Sequence, residues 1–280
     1  MMRETVTTGG AQVLTHEMFE WMAAQSAQGH SKEIILQAML ASGWSADSVS
    51  RATRLLLETQ RVLPVPTLAL PVSNRMVDAG DKWVEVLERV DEPDIVVFGH
   101  LLSDSECDAL IEAARPRLSR SLTVDTRTGG EELNESRTSM GMFFDRGENE
   151  VVRRVEARIA KLLGWPEKNG ESLQILRYGM GAEYKPHYDY FDPTEEGTPS
   201  IIQRGGQRVA TLIMYLHEPG DGGATVFPLL KMRVAPKRGN AVFFSYARAH
   251  PSSLSLHGGE PVAVGEKWIA TKWLREREFN

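Results

Sequence analysis

Cysteine is nearly absent from this sequence: Cys107 is the single one in 280 residues. One thiol cannot form an internal disulfide, which excludes disulfide-stapled secreted domains and agrees with a reducing compartment. Long apolar runs are also lacking, since no stretch approaches the roughly 18 apolar residues that a membrane span requires. The opening residues do not combine a basic start, an apolar segment and a small-residue cleavage site. We therefore expect a cytoplasmic protein with no membrane partner.

An excess of positive charge is lacking as well, because 32 Lys and Arg face 38 Asp and Glu, for a net charge of -6 at pH 7. Nucleic-acid binding relies on clustered Lys and Arg, so a nucleic-acid partner is not expected. Hydrophobic residues make up 41% of the chain. That content and this length predict a soluble globular protein with one large and one small domain.

The pattern of the chain changes near residue 63. Before it, three segments with helical spacing predict short helices over 15–29, 31–43 and 45–60, the first starting at a Thr15 cap. Three prolines then fall within eight positions, which cannot continue a helix and predict an extended linker. We predict a helical module over 1–63, a linker over 64–80 and a second domain over 81–280.

The second domain reads as two helices followed by many short strands. A capping box from Ser103 to Glu106 marks the start of one helix, and residues 149–164 place apolar side chains on one face of the other. Later β-rich runs are separated by Gly and Pro. This order predicts an α+β protein whose catalytic domain is a double-sheet jelly roll with supporting helices.

His187 and Asp189 stand two residues apart in "YKPHYDYFDP", a stretch that predicts a strand. Side chains i and i+2 of a strand point the same way, so an imidazole and a carboxylate would converge. With a distant histidine they would form the two-histidine, one-carboxylate triad of non-heme Fe(II) oxygenases. His257 in "SLHGGEPV" is a candidate, as are His217 and His250. Zinc hydrolases can show similar patterns.

Lys267 stands ten residues beyond His257, on the next predicted strand. A lysine buried beside a metal site needs a carboxylate partner. The far end of a bound 2-oxoglutarate would supply one while its keto acid chelates the iron. A solvated lysine on an edge strand is the alternative for this residue taken alone.

Four blocks of the sequence, in order, resemble the prolyl 4-hydroxylases, in particular the soluble plant-type and bacterial catalytic domains. They lie within residues 92–275 and read "VDTRTGGEELNESRTSMGMFF", "RIAKLLGWPEKNGESLQILRYGMGAEYKPHYDYF", "GGQRVATLIMYLHEPGDGGATVFP" and "SLHGGEPVAVGEKWIATKW". The resemblance implies a double-stranded β-helix that uses 2-oxoglutarate, O2 and ascorbate. It also implies that His187, Asp189 and His257 bind Fe(II).

The same positional match implies roles for further residues. Lys267, Tyr178 and Thr225 would hold the distal carboxylate of 2-oxoglutarate. The residues expected to line the peptide groove are Glu171, Tyr184, Arg208 and Trp273. Each has an ordinary structural alternative, because an indole such as that of Trp273 fills a core equally well. The sequence departs from the family pattern at Arg275, where some relatives place a histidine near the substrate.

The leading functional prediction is an Fe(II)- and 2-oxoglutarate-dependent dioxygenase that hydroxylates proline residues in a peptide or protein, with release of succinate and CO2. One alternative is an oxygenase acting on a free amino acid or another small molecule, and another is a noncatalytic peptide-binding protein. The loop over 191–206 follows the His187 strand and is predicted to act as a mobile lid. The helical module either recruits a protein substrate or serves packing or dimerisation.

Overall fold

The structure is a computed structural model that describes residues 16–68, 75–121, 123–124, 130–132 and 136–280. Residues 1–15, which include the expected cap Thr15, and the linker residues 69–74 lie outside that set. Contacts within the chain separate two compact units, Met1–Arg61 and Val62–Asn280. Of the helices described, none has the length and apolar character needed to cross a lipid bilayer.

The first unit contains the three predicted helices, α1 (His16–Ala27), α2 (Lys32–Ala41) and α3 (Ala46–Gln60). Ser31 caps α2 by accepting a hydrogen bond from the Ile34 N–H, and Ser45 caps α3 in the same way. The apolar side chains at helical spacing pack together, and the buried members are Met22, Ile35, Met39, Val49, Ala52 and Leu56. Helical periodicity was thus sufficient to predict this small bundle.

The second unit is mainly β-structure. Its strands are β1 (Met76–Asp78), β2 (Trp83–Val90), β3 (Ile95–Gly99), β4 (Ser119–Arg120), β5 (Thr123–Val124), β6 (Glu131–Glu132), β7 (Met140–Phe144), β8 (Leu173–Tyr178), β9 (Tyr184–His187), β10 (Arg208–His217), β11 (Asp221–Gly222), β12 (Thr225–Phe227), β13 (Met232–Val234), β14 (Ala241–Ser245), β15 (His257–Gly259), β16 (Val262–Val264) and β17 (Lys267–Arg275). Its helices are α4 (Asp104–Ala114), α5 (Glu150–Leu163) and the short α6 (Thr198–Ile201).

Two antiparallel sheets form the body of this unit. The larger has the strand order β1-β2-β3-β14-β10-β17-β8-β7-β4, and the smaller has the order β13-β12-β15-β9. One hydrophobic core contains residues of both sheets, such as Ile213 and Tyr215 from β10 with Phe227 and Val234 from the smaller sheet. The predicted jelly roll, a double-stranded β-helix, is confirmed.

A second core joins the larger sheet to helices α4 and α5. It includes Leu110 from α4, Ile159 from α5 and Trp268 from β17. The predicted capping box is present, since Ser103 and Glu106 each accept a hydrogen bond from the other's backbone N–H. Helix α5 ends at Gly164, whose left-handed φ of 59° suits a glycine. These helices support the face of the sheet that is turned away from the smaller sheet.

Strand β17 is buried along its whole length, so its alternate residues serve different cores. Trp268 and Ala270 belong to the helix-side core, whereas Ile269 belongs to the core between the sheets. Lys267 and Thr271 share the face of Ile269 and line a pocket there. One strand therefore both closes the structural core and presents side chains to a cavity.

The structure differs from the sequence-based expectation in the segment 64–80. The described part of this segment is attached to the second unit and does not form a free spacer. Leu68 is buried in the core that joins the larger sheet to helices α4 and α5. Leu63, just before the segment, is buried in the same core, and its N–H donates to the Ala247 carbonyl oxygen at 2.8 Å. Strand β1 within the segment pairs with β2. Residues 61–68, which include Pro64 and Pro66, form no helix. Burial of an apolar side chain such as Leu68 is favourable, which attaches this stretch to the second unit.

Lys272, on the helix side of β17, forms a buried ion pair with Glu156 of α5. Its Nζ lies 2.5 Å from the Glu156 Oε1, and the two side chains are 2% and 0% exposed. Lys272→Met should destabilise the protein by about 3–5 kcal/mol, because it leaves a carboxylate buried without its cation. Urea unfolding followed by tryptophan fluorescence measures this loss. Lys272→Met combined with Glu156→Leu should recover much of it, and a single variant as stable as the parent would contradict the prediction.

Candidate active site

The pairing of β9 with β15 brings two distant histidines face to face. His187 ends β9, His257 begins β15, and the two residues are direct partners in the antiparallel register. The approach is close at Gly258, where an added Cβ would lie 2.9 Å from the Tyr184 carbonyl oxygen. A side chain at this position would push the strands apart, so the glycine after His257 is required for the pairing.

His187, Asp189 and His257 form a compact triad. One ligand atom from each lies within 4.8 Å of the others, and no other cluster of this kind occurs among the described residues. The His187 Nε2 is 3.5 Å from the Asp189 Oδ1, and the His257 Nε2 is 3.5 Å from the Asp189 Oδ2. Asp189 lies two residues beyond the end of β9, yet its carboxylate converges with the imidazole of His187 as predicted.

Both imidazoles are oriented so that Nε2 faces the Asp189 carboxylate. The Nδ1 atom of His187 lies 2.9 Å from the Lys185 carbonyl oxygen, and that of His257 lies 3.0 Å from the Ser255 carbonyl oxygen. A carbonyl oxygen only accepts, so each Nδ1 carries the hydrogen and each Nε2 keeps a free lone pair. Burial lowers the pKa of His257 to about 4. His257 is therefore neutral at pH 7, which is the form that ligates a metal.

Lys267 lies at another part of the same pocket. Its Nζ is buried and donates to the Gly223 carbonyl oxygen at 2.6 Å. Burial lowers the pKa of this amine to about 8. Among the described residues, no carboxylate forms an ion pair with it. Burial of an amine without a carboxylate partner is costly.

Tyr178 and Thr225 line the same pocket as this amine. Tyr178 is the direct partner of Lys267 in the register of β8 and β17, and its ring centroid lies 5.4 Å from Nζ. Thr225 lines the pocket and accepts a 2.8 Å hydrogen bond from the Tyr215 hydroxyl. The three residues predicted to bind a carboxylate are therefore brought together.

The predicted groove residues fall into two groups. Tyr184 and Trp273 line the pocket itself, and the Tyr184 ring stacks on His187 with centroids 3.7 Å apart. Burial raises the pKa of Tyr184 to about 12, so its hydroxyl stays protonated. Arg208 and Glu171 lie behind Trp273, with the Arg208 guanidinium 4.0 Å from the Trp273 ring centroid. Two hydrogen bonds of 2.7 and 2.9 Å join Arg208 to Glu171.

Arg275, the departure from the family pattern, does not line the pocket. Its guanidinium is buried, donates to the backbone carbonyl oxygens of Ile201 and Arg204, and lies 3.5 Å from Glu171. Burial lowers its pKa to about 10. The loop over 191–206, predicted as a lid, contains α6 and is attached to the end of β17 through this side chain. Its mobility stays a prediction.

Comparison with known proteins agrees with this geometry. The family model described as the 2OG-Fe(II) oxygenase superfamily matches residues 173–275. Prolyl 4-hydroxylase 5 of Arabidopsis thaliana is 41% identical over 222 residues, covering 72% of this chain and 74% of that protein. The chain belongs to the prolyl 4-hydroxylase family of 2OG-Fe(II) oxygenases. Prolyl 4-hydroxylase 1 of the same plant is 41% identical over 202 residues, covering 66% of this chain and 70% of its own length.

A solved structure of another prolyl hydroxylase has a fold similar to that of this prolyl 4-hydroxylase family member. The viral collagen prolyl hydroxylase of Paramecium Bursaria Chlorella virus-1, in its 2OG complex, is 32% identical. The match has a TM-score of 0.50 and covers 65% of this chain and 95% of the viral chain. As a member of the family, the protein is a 2-oxoglutarate-dependent dioxygenase that uses Fe(II) and O2. Two free imidazole Nε2 atoms and a carboxylate are a donor set that fits Fe(II).

Several pocket residues were not predicted from the sequence. Thr271 and Ile269 share the pocket face of β17 with Lys267, so strict alternation along "KWIATKW" could have found them. Arg137 also lines the pocket and donates to the Gln174 side-chain oxygen at 2.8 Å. Nothing in the local sequence of Arg137 indicates this position, because it depends on the pairing of residues 136–138 with the start of β9.

Proposed function

We propose that this protein hydroxylates proline residues of a peptide or protein and couples that reaction to the conversion of 2-oxoglutarate into succinate and CO2. The observation that carries the proposal is a single pocket with a two-histidine, one-carboxylate triad and a buried amine, Lys267, that forms no ion pair with a described residue. Support for proline as the target comes from the relatives, which are named prolyl 4-hydroxylases.

His187, Asp189 and His257 would hold the metal through their Nε2 atoms and one carboxylate oxygen. When bound, Fe(II) with 2-oxoglutarate and dioxygen supplies the oxidising chemistry: the keto acid loses CO2, and one oxygen atom enters a substrate C–H bond. Three protein ligands leave the remaining positions of the metal for cosubstrate and dioxygen. Ascorbate is proposed as an accessory reductant.

Lys267 would bind the distal carboxylate of 2-oxoglutarate by a charge-assisted hydrogen bond, with the Tyr178 and Thr225 hydroxyls beside it. The low pKa of Lys267 makes this group receptive, since a carboxylate partner restores the charged form. The arrangement fixes the direction of the cosubstrate, because its other end must then reach the triad in the same pocket.

Tyr184 and Trp273 would contact the substrate peptide beside the metal. Proline-rich segments adopt an extended helix that aromatic grooves recognise. Arg208 is held in one orientation by its two hydrogen bonds to Glu171, and its charge lies against the Trp273 ring. We propose that this pair fixes the indole so that a flat surface faces the target residue.

Succinate formation tests the proposal directly. Purified protein would be supplied with Fe(II) and 2-oxoglutarate, with and without ascorbate, and with proline-rich peptides, the same peptides carrying alanine for proline, or free amino acids. The expected result is stimulation by the proline peptides alone, with one oxygen atom added to a proline by mass spectrometry. Stimulation by a free amino acid would favour the small-molecule alternative. Absence of turnover by the iron-loaded protein would favour the noncatalytic peptide-binding alternative.

Lys267 also predicts a pH dependence of cosubstrate binding. With the pKa of this amine near 8, the charged form dominates below pH 8 and is lost as the pH rises through that value. The Kd for 2-oxoglutarate should therefore rise above pH 8, by up to about tenfold per pH unit. Calorimetric titration between about pH 7 and 9.5 measures it. Lys267→Arg, which stays charged throughout, should flatten the profile, and a flat profile in the parent protein would contradict the assignment.

A further inference from the structure

A chain of buried hydroxyl groups ends on the Asp189 carboxylate. The Thr211 hydroxyl oxygen lies 2.7 Å from the Asp189 Oδ2, and the Tyr246 hydroxyl oxygen lies 3.0 Å from that of Thr211. Thr211 is on β10, and Tyr246 directly follows β14, the strand beside it. Neither hydroxyl residue is exposed to solvent by more than 1%. This contact was not predicted from the sequence.

The chemistry of the three groups fixes the direction of both hydrogen bonds. An ionised carboxylate only accepts, so the Thr211 hydroxyl must donate its hydrogen to Asp189. A threonine hydroxyl has one hydrogen, so its oxygen can then only accept from Tyr246. The hydrogen bonds therefore run from Tyr246 to Thr211 to the Asp189 Oδ2. The remaining carboxylate oxygen, Oδ1, faces the His187 Nε2 at 3.5 Å.

We propose that Thr211 and Tyr246 are positioning residues that make Asp189 a one-oxygen ligand. Both oxygens of the carboxylate lie 3.5 Å from an imidazole Nε2, Oδ1 from His187 and Oδ2 from His257, so the triad alone does not select one. The Thr211 hydrogen bond uses one lone pair of Oδ2 and draws electron density from that oxygen, which favours Oδ1 as the metal ligand. The inference rests on the metal assignment made under the proposed function.

The selection of one oxygen has a consequence for the reaction. A carboxylate that binds through both oxygens takes two positions on the metal, whereas one that binds through a single oxygen takes one. The second arrangement keeps three positions for the two donor atoms of the 2-oxoglutarate keto acid and for dioxygen. Tyr246 acts through Thr211, because its hydrogen prevents the threonine hydroxyl from rotating away from Asp189.

The test measures metal binding by the full chain, with Co(II) as the probe under conditions free of 2-oxoglutarate. Thr211→Val keeps the shape of the side chain and removes the hydroxyl, and Tyr246→Phe keeps the ring. We expect Thr211→Val to raise the Kd for Co(II) by about 10- to 100-fold and to change the visible absorption spectrum of bound Co(II). Tyr246→Phe should have a smaller effect of the same kind.

The double variant separates this chain of hydrogen bonds from two independent packing effects. Adding Tyr246→Phe to Thr211→Val should change neither the Kd nor the spectrum further, because Tyr246 acts only through the missing hydroxyl. Thr211→Ser keeps a hydroxyl at this position, so its Kd for Co(II) and its Co(II) spectrum should match those of the parent. Tyr190→Phe is the matched control, because it removes a hydroxyl from a ring whose centroid lies 6.2 Å from that of Tyr246. Tyr190 is not part of the hydrogen bonds from Tyr246 to Thr211 to Asp189, so this variant should leave Co(II) binding unchanged.

Three results would overturn the inference. They are additive effects of the two substitutions on the Kd, an unchanged Co(II) spectrum in Thr211→Val, or a loss of thermal stability in the metal-free variant without a loss of Co(II) affinity. Failure of the metal assignment gives a different result, because His257→Ala would then bind Co(II) as tightly as the parent. Loss of binding in His257→Ala with normal binding in Thr211→Val rejects the hydrogen-bonded chain alone.

Discussion

Replacing His257 with alanine is expected to abolish Fe(II) binding and turnover while the fold persists. The substitution removes one of three protein ligands, so the loss of activity should exceed the roughly 10- to 100-fold that loss of an outer hydrogen-bond partner costs. The fold should survive because the strand pairing at this position depends on backbone hydrogen bonds and on Gly258. Anaerobic calorimetry with Fe(II), succinate formation and far-UV circular dichroism measure the three properties.

His250→Ala is the matched control for this prediction. His250 lies seven residues earlier, and its ring accepts a hydrogen bond from the Ser252 N–H without joining the triad. The control should bind Fe(II) like the parent and keep its turnover. Normal turnover in His257→Ala would show that the metal is held elsewhere and would refute the triad.

Replacing Lys267 with alanine should weaken 2-oxoglutarate binding by about 30- to 4,000-fold. The distal carboxylate would then be buried without a charge partner, which costs about 2–5 kcal/mol. The triad is untouched, so Fe(II) affinity should stay at the level of the parent. Calorimetric titration with 2-oxoglutarate in the metal-loaded protein measures the change. The KM for 2-oxoglutarate in the succinate assay should rise in parallel.

A shortened ligand sharpens this second prediction. A 2-oxo acid without the distal carboxylate should bind the parent and Lys267→Ala equally, because the interaction that the variant lacks is also absent from the ligand. Lys237→Ala removes the same charge from an exposed lysine that pairs with Glu218, and it should leave 2-oxoglutarate binding unchanged. Equal losses for the full and the shortened ligand would mean that Lys267 supports the pocket without contacting the carboxylate.

Alternation along single strands made most of the pocket predictable from the sequence. His187 and Asp189 converge as the spacing of two predicts, although Asp189 lies beyond the end of β9, and Lys267 enters the pocket as the first residue of β17. The helices α4 and α5 were predictable because their caps and apolar spacing are local signals. Each of these features depends on residues close together in the chain.

Features that depend on the register between distant strands were not predictable. Thr211 and Tyr246 meet because β10 pairs with β14, and no property of either segment specifies that pairing. Arg275 gave a similar difficulty, since its partners are carbonyl oxygens of a loop whose path the sequence does not define. Leu68 lies in the segment predicted as a linker because its prolines signal an extended chain, and its burial against residues distant in the sequence leaves no local signal.

Strand β17 carries two buried lysines with different partners. Lys272 is neutralised by Glu156, whereas Lys267 donates to the Gly223 carbonyl oxygen and forms no ion pair with a carboxylate among the described residues. An uncompensated buried charge lowers the stability of the folded state, and a ligand that binds only that state raises it by mass action. With 2-oxoglutarate bound at Lys267 as proposed, the cosubstrate would be such a ligand, so we expect it to make the folded protein harder to unfold as well as to drive its reaction.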